Sequence, residues 1–358
     1  MWQHSCSYIM LRLVATASFI TLCLNSEPAT TQSTVDVSRL LARAQSGYVK
    51  DEIELARAFQ LGRGVPQDNA ESARWMLKAA NQGDPVAQTD IGLAYFSGTG
   101  VPPDQKEAFQ WFQRAALANF APAENDVGLL LIRGLGVRQD IPSGVNWVRR
   151  AAQQGLAAAE LHLGMFYLLG IGVERDEAAA LPWIRKAVKK HYPLAEFLLA
   201  EVYEFGMGLP KDVSKAAEWY RKAAEAGFAP AQNNLGKLYE IGAGVSQNRA
   251  EAIRLYTLSA EQGNAIACSN LAQIYGDPRS GTPNAKLAYF WATVATDMPV
   301  LHLPPMSPEI MQRLRNTISP EEAQVIEGQA VNWAKRHQPS PVDQGELLIA
   351  VQDPAAPR

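Results

Sequence analysis

The sequence predicts an all-α fold: a right-handed α/α solenoid, or superhelix, of about seven 36-residue helix-hairpin repeats with helical end caps. The first glycine of a Gly-x-Gly pair returns every 36 residues, at Gly62, Gly98, Gly134, Gly170, Gly206 and Gly242. A tryptophan keeps the same step at Trp75, Trp111, Trp147, Trp183, Trp219 and Trp291, with Leu255 in the sixth repeat. No insertion interrupts the step between Gly47 and Met298, and a fixed period of this length is typical of a solenoid.

The first helix of a repeat is predicted over residues 85–96, taking the second repeat as the example. Its apolar residues fall at helical spacing and form one stripe, which consists of Ala87, Ile91, Ala94 and Tyr95. Gly92 lies on this stripe and allows a neighbouring helix to approach closely. Gly98 tolerates the left-handed backbone that ends a helix, and Pro102 cannot continue one, so a loop follows.

The second helix of the same repeat is predicted to begin at Asp104. Asp104 and Glu107 have the spacing of a capping box. The helix then carries an apolar face, and Arg114 in its last turns suits the negative end of the helix dipole. Large and small residues alternate on that face, which indicates closely interdigitated helices with a tryptophan core: Ala108, Trp111, Phe112, Ala115 and Ala116.

The predicted organisation has five segments: a signal peptide at 1–26, a linker and N-terminal capping helix at 27–46, the repeats at 47–298, C-terminal capping helices at 299–337 and a disordered tail at 338–358. The C-terminal cap is predicted as helices over 309–316 and 320–337, with Ser319 as a helix cap and Pro320 at the first helical position. The tail has four prolines and little periodicity.

The N-terminus is typical of a secretory signal. Arg12 precedes an apolar run over 13–24, which is short for a membrane span, and a start at Met10 would give a tidier basic segment. The alternative is a buried N-terminal helix. A lipoprotein is disfavoured because Leu22 before Cys23 is larger than the usual residue. The predicted location is therefore periplasmic or secreted, and removal of 1–26 would leave Cys268 as the lone cysteine.

Composition and motifs argue against several classes of function. The formal net charge is −3 and no basic stripe with interleaved aromatics is present, so nucleic acid is not predicted as a partner. The histidines and cysteines have no zinc spacing, and no Gly-x-Ser-x-Gly or phosphate-binding loop occurs. No cofactor, metal or catalytic residue is predicted. His162 is interpreted as an exposed helical histidine, and Cys268 as a partly exposed, inert thiol.

Three stretches resemble the Sel-one-like repeat family, a relative of the tetratricopeptide repeat: residues 217–224, 231–239 and 242–245. Their sequences are AEWYRKAA, AQNNLGKLY and GAGV. The resemblance covers Gly47 to about Met298, and the seventh repeat departs from it at Gly276, where the Gly-x-Gly loop is replaced. It implies a right-handed superhelix of antiparallel helix pairs and an adaptor or scaffold role. Some cysteine-rich members have been linked to penicillin binding, but this chain lacks their cysteine pairs and any Ser-x-x-Lys motif.

The tetratricopeptide relatives use first-helix positions off the core stripe to line a concave groove. The corresponding residues here predict an apolar N-terminal half, made of Leu93, Phe96, Leu129, Ile132, Met165 and Leu168. They predict a charged, mainly acidic continuation made of Glu201, Glu204, Lys237 and Glu240. The alternative is that these wide apolar stripes simply pack against the second helices.

The resulting functional hypothesis is a non-enzymatic scaffold or adaptor in the cell envelope that binds a peptide or partner protein in its concave face. The alternatives are an enzyme acting on envelope material and an assembly component that binds peptidoglycan or polysaccharide. Carbohydrate binding requires exposed aromatics in the groove, whereas the tryptophans fall in core positions. The scaffold hypothesis is therefore preferred.

Overall fold

The computed structural model describes residues 37–278, 283–298 and 308–337, and within them the chain forms helices and no strands. An N-terminal helix α1 (Val37–Gln45) precedes seven hairpins, each made of a first and a second helix. In repeats one to four these are α2 (Val49–Leu61) and α3 (Asn69–Asn81), α4 (Pro85–Ser97) and α5 (Gln105–Leu117), α6 (Ala121–Arg133) and α7 (Ile141–Gln153), and α8 (Ala157–Leu169) and α9 (Glu177–Val188). In repeats five to seven they are α10 (Pro193–Phe205) and α11 (Val213–Glu225), α12 (Ala229–Ile241) and α13 (Arg249–Glu261), and α14 (Ala265–Gly276) and α15 (Ala285–Asp297). Helices α16 (Pro308–Arg315) and α17 (Pro320–Arg336) follow.

The predicted fold class is confirmed: the chain is an all-α protein of the α/α solenoid class with seven consecutive hairpins. The helices group into two compact units, one ending at Ala187 and the other beginning at Val188. Within each unit, a second helix packs against the first helix of its own repeat and against that of the next repeat, as α5 does with α4 and α6.

The hairpin of the second repeat turns where the sequence predicts. Gly98 has a φ of 74° and its N–H bonds to the carbonyl oxygen of Ala94, which closes α4. The Asp104 carboxylate then accepts hydrogen bonds from the N–H groups of Lys106 and Glu107 and caps α5. The end of the first helix and the start of the second are therefore specified by residues six positions apart in the sequence.

The second glycine of the pair has a different role in several repeats, which is contact with the preceding repeat. A Cβ atom on Gly100 would collide with the carbonyl oxygen of Asn69, the first residue of α3. A Cβ atom on Gly136 would collide with the carbonyl of Gln105 in the same way. The loop of one repeat thus lies against the start of the second helix before it, and only glycine leaves enough space.

The C-terminal cap has the predicted helix start. Ser319 accepts a hydrogen bond from the Glu322 N–H, and the Glu322 carboxylate accepts one from the Ser319 N–H, which completes a capping box. Helix α17 packs on α15, where the rings of Trp333 and Trp291 meet edge-on with centroids 5.1 Å apart. The predicted signal at 1–26, residues 299–307 of the predicted C-terminal cap and the tail at 338–358 lie outside the described residues.

No helix in the described part of the chain combines the length and the apolar character required to cross a membrane.

Candidate protein-binding face

The apolar groove predicted for the N-terminal half is largely core. Four of its six residues are only 1–4% exposed: Leu129, Ile132, Met165 and Leu168. For Ile132 the cause is the close approach of α6 and α7, where a Cβ atom on Gly144 would lie 2.5 Å from the Gly128 carbonyl oxygen and 2.6 Å from the Ile132 side chain. Ile132 therefore packs over the backbone of α7. The alternative interpretation, that the wide stripes contact the second helices, holds for Ile132, and the other three residues are buried.

Leu93 and Phe96 are the two groove residues that retain some exposure. Both are partly buried and pack against the cluster that contains Phe112 and Leu130. Their role in partner binding stays a prediction.

Glu201 was predicted as part of the charged face, but its side chain is 1% exposed. Its Oε2 atom has no hydrogen-bond partner among the described residues. Burial, reinforced by the neighbouring Glu204 carboxylate, raises the pKa of Glu201 well above its usual value. Glu201 therefore belongs to the interior, where burial favours its protonated form, and it does not contribute to the surface.

Glu204 and Glu240 do reach the surface, and each is held by a tyrosine. The Tyr220 hydroxyl donates to Oε2 of Glu204 at 2.6 Å, and the Tyr256 hydroxyl donates to Oε2 of Glu240 at 2.8 Å. Both tyrosines are fully buried on second helices, so each holds its carboxylate from the protein interior. The two pairs lie one 36-residue step apart, which makes them equivalent positions of repeats five and six.

The environment of Glu204 differs from that of Glu240 in one respect. Glu240 forms an ion pair with Lys237, with 3.0 Å between Nζ and Oε2. The position equivalent to Lys237 in repeat five is Glu201, and no cation lies within ion-pair distance of Glu204 among the described residues. Burial raises the pKa of Glu204, while the Tyr220 hydrogen bond and Lys211 oppose that shift. Repeat five thus presents a positioned carboxylate without a partner cation.

The tyrosines were missed by the sequence analysis, which treated their positions as generic core. The signal was available, because the residue after the tryptophan is Phe112 in the second repeat and Tyr220 in the fifth. A hydroxyl added at a fully buried position requires an acceptor. Tyr256 repeats the same substitution one step later.

The interpretation of His162 as an exposed residue is wrong, because its side chain is completely buried. Its Nδ1 atom lies 2.8 Å from Oδ1 of Asn125 on the preceding first helix. Burial, and then the nearby Arg133 charge, lower the pKa of His162 to about 3, so the ring is neutral. In the second unit Asn270 donates to Asn233 at 2.9 Å in the same 37-residue register. These bonds tie consecutive first helices together and do not form a catalytic group.

Cys268 is also buried, contrary to the predicted partial exposure. The polar residues at its position in other repeats suggest a surface, but they too are buried, and three of them bond to a residue 30 positions later. The bonded pairs are Glu52 with Gln82 at 2.7 Å, Glu124 with Gln154 at 2.7 Å, and Gln232 with Gln262 at 2.8 Å. In the seventh repeat Cys268 and Met298 occupy these two positions, with their sulfur atoms 3.9 Å apart.

The tryptophan series is core, as predicted, but to different depths. Trp75, Trp111 and Trp291 are buried, whereas Trp147, Trp183 and Trp219 are half-buried. In the first five repeats a lysine or arginine three residues later lies over the indole, at 3.7–4.3 Å from the ring centroid. Such stacking stabilises the ring and its cation together and leaves little indole face for a carbohydrate ligand.

No group of three or more histidine, cysteine, aspartate or glutamate side chains could hold a metal ion within residues 37–278, 283–298 and 308–337. The candidate site consists of the Glu204 and Glu240 carboxylates, their tyrosines and Lys237 on repeats five and six.

Comparison with known proteins gives one consistent answer. The Sel1 repeat family matches seven consecutive segments, at residues 52–84, 85–120, 121–156, 157–192, 193–228, 229–264 and 265–299. A Sel1 repeat protein from Oxalobacter formigenes is 32% identical, with a TM-score of 0.63 over 69% of this chain and 98% of that one. A protective antigen present in uropathogenic Escherichia coli strains, which displays an SLR fold, is 29% identical, with a TM-score of 0.60 over 84% of this chain and 63% of that one.

The present chain thus spans less than two thirds of the Escherichia coli antigen. No curated protein matches the chain. The seven matched segments run without interruption from residue 52 to residue 299 and coincide with the seven helix hairpins. The chain belongs to the Sel1 repeat family.

Proposed function

We propose that this chain is a non-enzymatic scaffold that holds a basic segment of a partner protein against the first helices of repeats five and six. Sel1 repeat proteins are generally protein-interaction scaffolds. The observation that carries the proposal is the pair of tyrosine-held carboxylates, Glu204 and Glu240, one repeat apart. Two fixed charges at a repeat spacing suit an elongated ligand, since a segment lying along the repeats meets both.

The tyrosines matter because they remove the cost of ordering the carboxylates when a ligand binds. A surface glutamate normally loses side-chain rotamer freedom when it forms an ion pair, which keeps the net gain small. Here the Tyr220 and Tyr256 hydroxyls already hold one oxygen of each carboxylate. The second oxygen remains to accept a hydrogen bond from a lysine or arginine, which is the stronger charge-assisted kind.

Glu204 is the more favourable of the two sites, because Glu240 already has Lys237 as its partner. A ligand cation at Glu204 would reproduce in repeat five the ion pair that repeat six makes internally. The partly buried setting of Glu204 strengthens that interaction relative to one at an open surface. The preferred ligand therefore places one lysine or arginine at Glu204 and makes a second, weaker contact with Glu240.

The test uses the paired substitution Glu204→Gln and Glu240→Gln, which removes both charges and keeps the shape. The immobilised native chain is used to capture proteins from an envelope extract, and an enriched partner is then produced pure and titrated. The expected result is at least roughly tenfold weaker binding of that partner by the variant, equivalent to about 1.4 kcal/mol, with unchanged melting. A control variant, Glu218→Gln with Glu261→Gln, makes the same charge change on exposed second-helix positions and should bind normally.

If the control variant lost as much affinity, the change in net charge alone would explain the loss, and the proposed site would be contradicted. Full affinity in the variant that lacks Glu204 and Glu240 would also contradict it. A further variant, Tyr220→Phe, leaves the Glu204 charge in place and frees its side chain. It should weaken binding less than the loss of the charge, because only the positioning is removed.

We also propose that the protein acts in the periplasm or outside the cell. The support is the sequence alone: Arg12 followed by the apolar run at 13–24 has the pattern of a secretory signal. The intact mass of the protein isolated from its native envelope should lack residues 1–26. A cytosolic protein whose mass includes Met1 or Met10 would contradict this location.

A further inference from the structure

A cavity of about 320 Å³ lies between α11, α12 and α13 in the second compact unit. It lies at the sixth repeat, where Leu255 occupies the tryptophan position. It does not include Glu204, Glu240 or their tyrosines, so it is separate from the proposed carboxylate site. Its walls are apolar with polar groups at the edge: Ala224, Leu235, Leu255 and Leu258 with Arg221, Tyr239, Glu251 and Arg254, besides Glu225, Gly227 and Gln232.

The other repeats show what normally fills this position. Each of the first five has an indole covered by a lysine or arginine three residues later, as Trp219 is covered by Lys222 at 3.7 Å. In the sixth repeat both members are replaced, by Leu255 and Leu258. A leucine is much smaller than an indole, and an apolar side chain cannot provide the cation. The cavity therefore lies where a ring and its covering charge are missing.

Two guanidinium groups remain at the edge of this cavity. Arg254 donates two hydrogen bonds to the Glu251 carboxylate, at 2.6 and 2.9 Å, so that carboxylate balances the charge of its guanidinium. Arg221 is half-buried and donates to the Tyr239 hydroxyl at 3.3 Å, with no carboxylate within ion-pair distance among the described residues. The planar face of a guanidinium that lacks a carboxylate partner is well suited to stack on an aromatic ring.

We propose that this cavity binds an aromatic side chain, best an indole, that projects from a partner polypeptide. The leucine walls supply apolar contact, and Arg221 supplies the cation that Leu258 cannot. The volume is at the lower end of the range of small-ligand sites, which suits one side chain. The choice of a polypeptide over a free aromatic compound rests on the proposed protein-binding function.

The first test is a calorimetric titration of the full chain with two blocked tripeptides, N-acetyl-Gly-Trp-Gly-amide and N-acetyl-Gly-Leu-Gly-amide. The tryptophan peptide is expected to bind with a Kd on the order of 1 mM. The leucine peptide should bind at least roughly fivefold more weakly than the tryptophan peptide, since it lacks the cation–π contribution. Equal binding of the two peptides, or no binding of the tryptophan peptide up to about 10 mM, would overturn the inference.

The second test fills the cavity from within. The double substitution Leu255→Trp with Leu258→Lys restores the pattern of the other repeats and should abolish binding of the tryptophan peptide. Because it fills empty space, it should keep or raise the melting temperature, so lost binding would not reflect unfolding. If the double variant melts lower, Arg221→Gln provides the deciding measurement, since it leaves the leucine walls intact and should remove the preference for tryptophan over leucine.

Peptide binding by the filled variant at native affinity would overturn the inference, as would an unchanged preference in Arg221→Gln. If free 3-methylindole bound more than about tenfold tighter than the tryptophan peptide, the peptide backbone would be hindering entry into the cavity. That result would overturn the assignment of a polypeptide as the ligand. The variant that lacks Glu204 and Glu240 should still bind the tryptophan peptide. If the native chain does not bind the tryptophan peptide, only the cavity proposal is contradicted, and the carboxylate site is unaffected. If the variant that lacks Glu204 and Glu240 binds its partner protein normally, only the carboxylate site is contradicted, and the cavity proposal is unaffected.

Discussion

The thiol of Cys268 lies 3.9 Å from the sulfur of Met298, at two positions that in other repeats hold a hydrogen-bonded polar pair. In the third repeat the equivalent residues are Glu124 and Gln154, joined at 2.7 Å. The seventh repeat thus replaces a polar contact with a contact between two polarisable side chains. Both versions join the start of a first helix to the end of the second helix, or the residue just after it, so the position is structural in each case.

We expect the Cys268 thiol to be unreactive in the folded protein. The side chain is fully buried, and burial raises its pKa to about 12, so the thiolate that reacts with maleimide is scarce. Maleimide labelling, quantified by mass spectrometry on the peptide that contains Cys268, should be slow in buffer and complete in denaturant. Rapid labelling under native conditions would contradict the buried position.

Asp126 should make the stability of the first unit fall as pH rises. Burial raises its pKa from 3.8 to about 8, so the folded state holds a proton that the unfolded chain has already released. The stability that this proton provides is present below about pH 4 and is lost as pH rises toward about 8. Asp126→Asn keeps a hydrogen-bond acceptor for Asn125 and cannot ionise, so its melting temperature should decline less between about pH 5 and 8.

The control for this pH profile is Asp140→Asn. Asp140 is an exposed helix cap whose pKa is lowered by its hydrogen bonds with Ser143, so its contribution is lost only in acid. His162 works in the opposite direction from Asp126: with its pKa lowered to about 3, it costs stability as pH falls below about 6.5. Identical profiles for the native chain and Asp126→Asn above about pH 6.5 would contradict the prediction.

Trp111→Ala should destabilise the protein more than Trp147→Ala. Trp111 is buried, and loss of a buried tryptophan costs roughly 3–5 kcal/mol. Trp147 is half-buried beneath Arg150, whose guanidinium lies 4.3 Å from the ring centroid, so less apolar surface is lost and about 1–3 kcal/mol is expected. The two variants are compared by thermal melting. An equal loss of stability in the two variants, or a larger loss in Trp147→Ala, would mean that burial does not govern how much the tryptophan contributes to stability.

The helix hairpins could be predicted from the sequence because their signals are local. Gly98, Asp104 and the apolar stripe specify a helix end, a helix start and a buried face without reference to any distant residue. The depth of burial is not local, since it depends on how closely the paired helix approaches. Gly144, where the second helices of the neighbouring repeats have Ala108 and Ala180, is the one signal that α6 and α7 would pack closely enough to cover Ile132.

The polar residues were harder to place for a related reason. The sequence favours exposure of His162 and Cys268 because polar residues occupy equivalent positions in other repeats, and a polar series usually faces water. The polar residues at the Cys268 position are buried, and three of them bond to a residue 30 positions later. His162 is buried too, and its partner Asn125 lies 37 positions earlier. A search for polar pairs at offsets near the repeat length would have suggested Asn125 as the partner of His162, whereas the hydrogen bond itself required the structure.

The loop glycines give the most direct test of how neighbouring repeats are joined. Gly100 and Gly83 both have positive φ angles, of 75° and 92°, so alanine at either site has the same kind of backbone strain, about 1–2 kcal/mol. They differ in their surroundings: a Cβ atom at Gly83 meets nothing within 4 Å, whereas one at Gly100 collides with the Asn69 carbonyl. Gly100→Ala should therefore cost roughly 1–3 kcal/mol more than Gly83→Ala, as an overpacked contact does.

The difference between the two variants, measured by thermal melting monitored by circular dichroism, isolates the contact from the strain. Because solenoid repeats depend on their immediate neighbours, the loss at Gly100 should also loosen the start of α3. Amide hydrogen exchange at residues 69–72 should rise in Gly100→Ala and stay unchanged in Gly83→Ala. If both variants melt together and exchange alike, the loop does not contact the preceding repeat in solution, and the second glycine of the pair serves only the turn.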